Sequence, residues 1–246
     1  MKAVWYTKTG NASDVLQIGE LDDPLPNVGE VLVKIKTSGV NPSDVKIRAG
    51  ARGELQFRRV IPHSDGGGEI VDVGEGVDRN RIGERVWIWN GAFGRADGTC
   101  AELISLPEFQ AVKINNEVSY ESAACMGIPA STAYYGLLAN GPIKNKTVLI
   151  SGGAGAVGFY GIQIAKLSGA NVITTISNDE KAEIANNAGA DKVINYKNEN
   201  VLEEIMEYTE NDGVDRIFEV EFGGNLPINE KIIKPNGVIA AYGSMA

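Results

Sequence analysis

The first 120 residues alternate between apolar and polar positions over short stretches. In "EVLVKIKTS", Val31, Val33 and Ile35 fall on one face, with lysines on the other. The stretches "GEIVDVGEGV", "GERVWIWN" and "CAELISLP" are similar and are bounded by turn-forming residues. Short alternating segments with this spacing predict the strands of a compact barrel or sandwich. One helix is predicted here, in "PSDVKIRAG", ending at Gly50.

From residue 145 the pattern changes to apolar strands that alternate with amphipathic helices. The predicted strands are "TVLIS", "NVITTI", "DKVIN", "VDRIFEV" and "GVIAAYG", and the helices between them are "AVGFYGIQIAKLSG", "NDEKAEIANNAG", "NVLEEIMEYT" and "LPINEKIIK". Crossover connections of this length predict a parallel sheet with helices on both faces. The inward positions predicted for the first of these helices are Val157, Ile162, Ile164, Ala165 and Leu167.

A glycine-rich loop joins the first of these strands to the first helix. Gly153, Gly155 and Gly158 fit the pattern G-x-G-x-x-G, and the strand and helix around it make the match specific. The first glycine permits a tight turn, the second lets a pyrophosphate approach the backbone, and the third lets helix and strand pack closely. The backbone N–H groups of Ala156, Val157 and Gly158 are predicted to face the phosphates. No Lys-Ser or Lys-Thr follows the loop, which disfavours an ATP-type P-loop.

The end of the second predicted strand indicates which dinucleotide is bound. NAD-binding proteins usually place an acid there, but this strand ends at Ser177. Lys181 follows within one helical turn and Tyr196 ends the third strand, so a cation near the pocket favours NADPH. Asp179 is the alternative acid. The sequence "SNDE" instead predicts a capping box, in which Ser177 is the N-cap and the Glu180 side chain accepts the backbone N–H of Ser177. Asp179 would then interact favourably with the helix dipole.

Composition narrows the functional classes. The chain has 246 residues, 43% of them hydrophobic, and a net charge of -9. An acidic balance argues against nucleic acid or an anionic membrane surface as a main partner. No apolar run reaches the length of a signal peptide or a membrane span. The two cysteines are not paired in a CxxC motif, which predicts a cytoplasmic, reducing compartment.

Four stretches together resemble the medium-chain dehydrogenase/reductase superfamily, in its zinc-independent quinone oxidoreductase (zeta-crystallin-like) branch. They are "GVNPSDVKIRAG", "IPHSDGGGEIVDVGEGV" with "GERVW", "GIPASTAYYGLL", and "GGAGAVGFYGIQIAK" with "GADKVINYK". They follow the order of the family over nearly the whole chain. The resemblance implies an α/β protein with a GroES-like β-barrel-type catalytic domain, residues 1–122, and a Rossmann domain that binds NADPH, residues 123–246.

The resemblance also implies an activity and a set of site residues. The activity is NADPH-dependent reduction of a quinone by hydride transfer, in a homodimer. Asn41 would lie beside the nicotinamide and the substrate and would stabilise charge in place of a metal. The other cofactor-binding positions implied are Thr132 on the nicotinamide side, Ser177, Lys181 and Tyr196 at the 2′-phosphate, and Gly243 and Ser244 beside the nicotinamide at the end of the fifth strand.

No metal site is predicted. Zinc alcohol dehydrogenases of the superfamily have Cys where Asn41 stands and His where Ser64 stands, and neither Asn nor Ser is a good Zn²⁺ ligand. Their structural zinc loop needs four cysteines. Cys100 and Cys125 are predicted to be packing residues in apolar surroundings. His63, the only histidine, is predicted to be a loop residue, with a role in proton relay as the alternative.

The chain stops at "AAYGSMA", where the family continues with a further helix, a sixth strand and a return segment. We therefore expect either a shortened natural form or a fragment that lacks the usual C-terminal segment. Two alternative functions stay open at this point. One is an NADPH-dependent reductase of enone or enal double bonds, and the other is a catalytically weak NADPH-binding protein with a structural or regulatory role.

Overall fold

The computed structural model describes residues 1–243 and divides the chain into two compact units, Met1–Ile128 and Pro129–Ala246. Each unit has its own sheet and its own buried apolar core. None of the helices formed by residues 1–243 is long and apolar enough to cross a bilayer.

Unit 1 contains an antiparallel five-stranded sheet and a two-stranded ribbon. Its elements are β1 (Lys2–Trp5), α1 (Ala12–Val15), β2 (Gln17–Glu20), β3 (Glu30–Gly39), α2 (Pro42–Arg48), β4 (Asp65–Val73), β5 (Arg85–Ile88), β6 (Leu103–Pro107), β7 (Ala111–Lys113) and α3 (Tyr120–Ala124). The sheet order is β6-β3-β4-β5-β7, and β1 pairs with β2. Val31 and Val33 are fully buried in its core, as the alternation predicts, whereas Ile35 is only partly buried.

The stretch after β7 packs on the sheet of unit 1. The Thr37 hydroxyl on β3 donates to the Tyr120 carbonyl at the start of α3, 2.5 Å away. The Ile128 N–H donates to the carboxylate of Asp65 at the start of β4. These contacts hold residues 120–128 in unit 1. The domain boundary between residues 122 and 123 stays a sequence-based prediction.

Unit 2 is a parallel sheet with helices on both faces. Its elements are α4 (Ser131–Leu138), β8 (Thr147–Ile150), α5 (Ala156–Leu167), β9 (Asn171–Ile176), α6 (Asp179–Asn187), β10 (Lys192–Asn195), α7 (Val201–Tyr208), β11 (Val214–Glu219), α8 (Phe222–Ile232) and β12 (Ile233–Ala241). The strand order is β10-β9-β8-β11-β12, with every pair parallel. The five strands and four crossover helices predicted from the sequence are all present.

The two faces of this sheet bury different helices because successive strand residues point in opposite directions. Val148 and Ile150 on β8 pack with residues of α4, α5 and α6, while Leu149 packs with residues of α7 and α8. The prediction that Leu167 faces inward is wrong, since its side chain is 89% exposed. Five residues of helix rotate it about 140° away from the buried Ile162.

The strand order creates a crevice at the carboxyl end of the sheet in unit 2. β8 lies between β9 and β11, and the connections that follow β8 and β11 carry helices to opposite faces. In open α/β sheets, ligands bind at such a switch point, outside the carboxyl ends of the strands. The glycine-rich loop, which directly follows β8, therefore lies at the expected ligand-binding edge.

Candidate functional site

The glycine-rich loop in unit 2 turns sharply from β8 into α5. Gly152 has a φ of 72°, a conformation that favours glycine. The Gly153 N–H donates to the Thr175 carbonyl, 3.1 Å away, which holds the loop over the end of β9. Gly155 is the N-cap of α5 and has extended backbone dihedrals, φ -75° and ψ 160°.

The three glycines of the motif have different local roles. A Cβ at Gly153 would clash with the Thr174 side chain, and one at Gly158 would clash with the Gly152 carbonyl. Both are thus required for close packing of the loop and helix. A Cβ at Gly155 would meet only the Gly152 carbonyl oxygen, 3.3 Å away. Gly155 therefore leaves open the side from which a ligand can reach the helix, as expected for the second glycine of the motif.

The first turn of α5 offers free backbone donors beside Gly155. The first bond of the helix runs from the Phe159 N–H to the Gly155 carbonyl, at 2.8 Å. Helix geometry leaves the N–H groups of Ala156, Val157 and Gly158 without an intrahelical acceptor, and no acidic residue lies in this turn. Such a helix start suits a phosphate. The assignment of these three residues to the phosphates stays a prediction.

Three predicted site residues follow the carboxyl ends of β9 and β10. The Lys181 Nζ lies 2.9 Å from the Ser177 Oγ, and both follow β9. Tyr196 follows β10, donates its N–H to the Ile176 carbonyl at 3.1 Å, and has a side chain that is half exposed. The structure thus brings together two predicted site residues, the Lys181 ammonium and the Ser177 hydroxyl, and Tyr196 directly follows the neighbouring strand β10.

The predicted capping box at α6 is wrong by one residue. Asn178 is the N-cap, and its Oδ1 accepts the Lys181 N–H at 2.9 Å. With the cap at Asn178, the third helical position is Lys181, so Glu180 cannot complete a box with Ser177. The Ser177 hydroxyl is therefore not used to cap the helix. Asp179 lies in the first turn of the helix, where its charge interacts favourably with the helix dipole.

A cavity of about 660 Å³ in unit 2 lies between α4 and the edge strand β12. Thr132 lines it from the helix and Tyr242 from the end of the strand, where the Tyr242 ring stacks on Phe218 at 4.4 Å. Gly243 follows directly, and a side chain there would meet the Val220 carbonyl oxygen at 2.5 Å. Ser244 lies outside the described residues. The roles predicted for Thr132 and Gly243 stay predictions.

A buried carboxylate that the sequence analysis did not identify organises the switch point. Glu219 at the end of β11 is fully buried and accepts a hydrogen bond from the Ser151 hydroxyl after β8, at 3.0 Å. The Asn225 and Asn229 side-chain amides on α8 donate to the same carboxylate, at 3.0 and 2.9 Å. Because its oxygens are satisfied by these donors, Glu219 holds the two strand ends and α8 together.

In unit 1, Asn41 belongs to a buried polar cluster. It is the N-cap of α2, and its backbone N–H donates to the Asp44 carboxylate at 2.8 Å. Its side-chain Nδ2 donates to Asp65 Oδ2, also at 2.8 Å. The Asp65 carboxylate, fully buried, additionally accepts the Ile128 N–H at 2.9 and 3.0 Å. An ionised carboxylate only accepts, so Asp65 selects the nitrogen of the Asn41 amide and leaves its second hydrogen available.

Burial shapes the electrostatics of this cluster. Desolvation raises the pKa of Asp65 to about 6, and the hydrogen bonds from Ile128 and Asn41 oppose the rise. The nearby charge of Asp44 raises the pKa of Asp65 further. Burial also raises the pKa of Asp44 itself. Neither acid was identified from the sequence. Asp65 does stand in "HSDGGGE", directly before a run of three glycines. A glycine run in a strand indicates a crowded backbone, and it was the available signal for a site at Asp65.

The cysteines differ from their predicted roles. Cys100 is partly buried, but Cys125 is exposed, so the prediction that both pack in apolar surroundings is wrong for Cys125. Cys125 is the C-cap residue of α3, at the end of the helix. Among residues 1–243, no three or more His, Cys, Asp or Glu side chains are grouped so that they could hold a metal ion.

Both units match known families. Residues 27–116 match the alcohol dehydrogenase GroES-like domain, and residues 156–246 match a family described as zinc-binding dehydrogenase. The mouse quinone oxidoreductase is 30% identical over 246 residues, an alignment that covers 99% of this chain and 73% of the relative. The human quinone oxidoreductase is 28% identical over 245 residues, with the same coverage.

Solved structures agree with these matches. The quinone oxidoreductase of Escherichia coli, determined in complex with NADPH, superimposes with a TM-score of 0.87 at 27% identity. The match covers 99% of this chain and 73% of that one. The predicted fold class, a GroES-like domain followed by a parallel dinucleotide-binding sheet, is therefore confirmed.

Proposed function

We propose that this chain reduces quinones with NADPH, by hydride transfer and without a metal, because it belongs to the quinone oxidoreductase family of the medium-chain dehydrogenase/reductase superfamily. The observation that carries the proposal is the cradle in unit 2. Its glycine loop is open at Gly155, and a serine–lysine pair stands at the end of the next strand. NADPH would supply the hydride, and the residues of the chain would bind it and stabilise charge.

The cradle fits NADPH at both ends. The N–H groups of Ala156, Val157 and Gly158, at the start of α5, are proposed to bind the pyrophosphate. At the ribose, Ser177 leaves room for a 2′-phosphate and Lys181 offers a positive charge 2.9 Å from that hydroxyl. An acid at the position of Ser177 would repel the phosphate, and Asp179 is instead placed in the first turn of α6. Both cofactors have the pyrophosphate, so it is the ribose end of the cradle that supports NADPH over NADH.

Lys181→Ala is expected to weaken NADPH binding by about tenfold or more and to leave NADH binding nearly unchanged, because only NADPH has the phosphate that pairs with the ammonium. Fluorescence titration of both cofactors would measure this. Lys144→Ala is a matched control, since Lys144 is exposed and lies just before β8, at the opposite end of the strand. Equal losses for NADPH and NADH would reject the assignment of Lys181 to the phosphate.

In unit 1, Asn41 is proposed to bind the reacting carbonyl oxygen of the quinone. Its bond to Asp65 leaves one amide hydrogen free, and this hydrogen can stabilise the negative charge that develops on that oxygen. Asp65 is then a positioning residue, because it determines which end of the amide Asn41 presents. This arrangement stabilises the charge without a zinc ion. It is consistent with Asn41 and Ser64 at the positions where zinc alcohol dehydrogenases have Cys and His as ligands.

Initial rates of NADPH oxidation with different acceptors test the proposed function. A benzoquinone, an α,β-unsaturated ketone, an α,β-unsaturated aldehyde and no acceptor would be compared, each with and without a chelator. We expect the quinone to be reduced fastest and the chelator to have no effect. Oxidation with only the ketone or the aldehyde would indicate a double-bond reductase. Tight binding of NADPH with no oxidation by any acceptor would indicate a binding protein.

A cytoplasmic location and a homodimeric state are further proposals. Cys100 and Cys125 are both free, and Cys125 is exposed, which suits a reducing compartment. The homodimer rests on the family alone. The net charge of -9 supports a small molecule, not nucleic acid or an anionic membrane surface, as the partner.

A further inference from the structure

The only histidine of the chain occupies a constrained position in unit 1. His63 has a φ of 78°, a left-handed conformation that residues other than glycine rarely adopt. Its carbonyl accepts the Thr99 N–H at 2.9 Å, and the Pro62 carbonyl accepts the Cys100 N–H at 3.1 Å. The imidazole is half buried. The surrounding loop thus holds His63 in a conformation that it would not favour by itself.

A chain of hydroxyl groups determines which ring nitrogen of His63 carries hydrogen. The Thr99 hydroxyl, fully buried, lies 2.6 Å from the Asp65 carbonyl, which can only accept, so Thr99 donates there. Ser38 Oγ lies 2.8 Å from Thr99 Oγ1 and must therefore donate to it. Ser38 Oγ also lies 2.9 Å from His63 Nδ1, and its single hydrogen is already used. Nδ1 is thus the donor, and Nε2 is the nitrogen left to gain or lose a proton.

The charge beside this imidazole comes from Asp44. Burial lowers the pKa of His63, and the Asp44 carboxylate opposes that effect. The neighbours on β3 and in the loop before β6 are the hydroxyls of Ser38 and Thr99, which do not titrate in this range. Asp44 also accepts the Asn41 N–H at 2.8 Å. His63 and Asn41 therefore interact with the same carboxylate.

We propose that His63 is the proton donor for the reduced quinone, with Ser38 and Thr99 as the residues that position it. This inference rests on the proposed function. Hydride transfer from NADPH adds two electrons and one hydrogen to the quinone, leaving a hydroquinone anion and NADP⁺. The protonated His63 then gives its Nε2 proton to the anionic oxygen, and the neutral imidazole regains a proton from water. The net reaction is quinone, NADPH and one proton to hydroquinone and NADP⁺.

The hydrogen-bond chain is tested first, without cofactor or substrate, by ¹⁵N NMR of the uniformly labelled protein. One histidine gives one unambiguous pair of ring nitrogens. We expect the neutral ring to carry its hydrogen on Nδ1, with a pKa below that of a histidine in a peptide. Ser38→Ala should shift the ring toward the Nε2–H form, whereas Ser13→Ala, a control on α1, should not. A wild-type ring with hydrogen on Nε2 would contradict the inferred chain of donors.

The proton-donor role is tested by the pH dependence of quinone reduction. In the wild type, kcat should fall as pH rises through the pKa of His63, because the donor form is lost. His63→Asn and His63→Gly, two residues that tolerate positive φ, should lower kcat by about 10²-fold at low pH and remove this His63-dependent fall, with NADPH affinity retained. The buried carboxyl of Asp65, with a pKa of about 6, also titrates, but its contribution persists in both variants and is separated by the comparison.

The two possible failures are distinguishable. A wild-type protein that oxidises no NADPH with a quinone would contradict the proposed function, while the NMR result would still report the hydrogen-bond chain. A wild-type protein that reduces quinones, together with folded His63 variants that keep the same kcat and the same pH profile, would overturn the proton-donor role alone.

Discussion

Gly155→Val is expected to abolish NADPH binding while the fold of unit 2 persists. The backbone at Gly155 is extended, which suits valine, and a Cβ there has only the Gly152 carbonyl oxygen nearby, at 3.3 Å. The branched side chain would instead occupy the space through which a pyrophosphate reaches the first turn of α5. Loss of two or more charge-assisted hydrogen bonds, each worth about 1.5–3 kcal/mol, corresponds to about 100-fold weaker binding or more.

Gly158→Ala is the matched control for this prediction. Its Cβ would clash with the Gly152 carbonyl, so we expect a loss of about 1–3 kcal/mol in the free energy of unfolding. Fluorescence titration with NADPH and thermal unfolding would be measured for both variants. The interpretation of Gly155 fails if its valine variant binds NADPH within threefold of the wild type, or if it unfolds as readily as Gly158→Ala.

Asn41→Ala is expected to lower kcat for quinone reduction by about 10²–10³-fold, with NADPH affinity largely retained. The variant removes the amide hydrogen proposed to stabilise charge on the quinone oxygen, a loss comparable to that of one oxyanion-hole donor. It also leaves the buried Asp65 carboxylate without the Nδ2 donor at 2.8 Å, which should cost about 1–3 kcal/mol of stability. Turnover is therefore measured well below the unfolding temperature of the variant.

Asn11→Ala serves as the control for Asn41→Ala. Asn11 is also the N-cap of a short helix in unit 1, α1, but it is exposed and forms no part of the buried cluster. The Asn11 side chain makes no capping hydrogen bond, so a change in turnover confined to the Asn41 variant would exclude only a general effect of replacing an N-cap asparagine in unit 1. If Asn41→Ala reduces quinones at the wild-type rate, Asn41 does not bind the reacting oxygen.

Local patterns predicted the parts of the chain whose contacts are close in sequence. The glycine loop, the parallel strands and the helices between them follow from apolar periodicity and turn residues. Ser177 and Lys181 were also identified together, because they are four residues apart and lie on one side of a helix start. The prediction that Ser177 caps α6 was wrong, since Asn178 offers a competing cap one residue later. The role of Ser177 at the 2′-phosphate stays a prediction.

Contacts between distant parts of the chain were not predicted. Asp65 meets Asn41 across 24 residues, because the antiparallel pairing of β3 and β4 brings the end of one strand to the start of the other. Glu219 meets Ser151 only because β11 pairs directly with β8. Neither pairing register is encoded by a short motif. The polar groups that organise both sites are therefore visible only in the folded chain.

The central claim is that this chain transfers a hydride from NADPH to a quinone. Its most direct test is the stoichiometry of the reaction under anaerobic conditions, with NADPH followed by its absorbance and the hydroquinone by chromatography. We predict one hydroquinone formed for each NADPH consumed, at a rate unchanged by a chelator. NADPH that binds to the protein but is not consumed in the presence of a quinone would contradict the account.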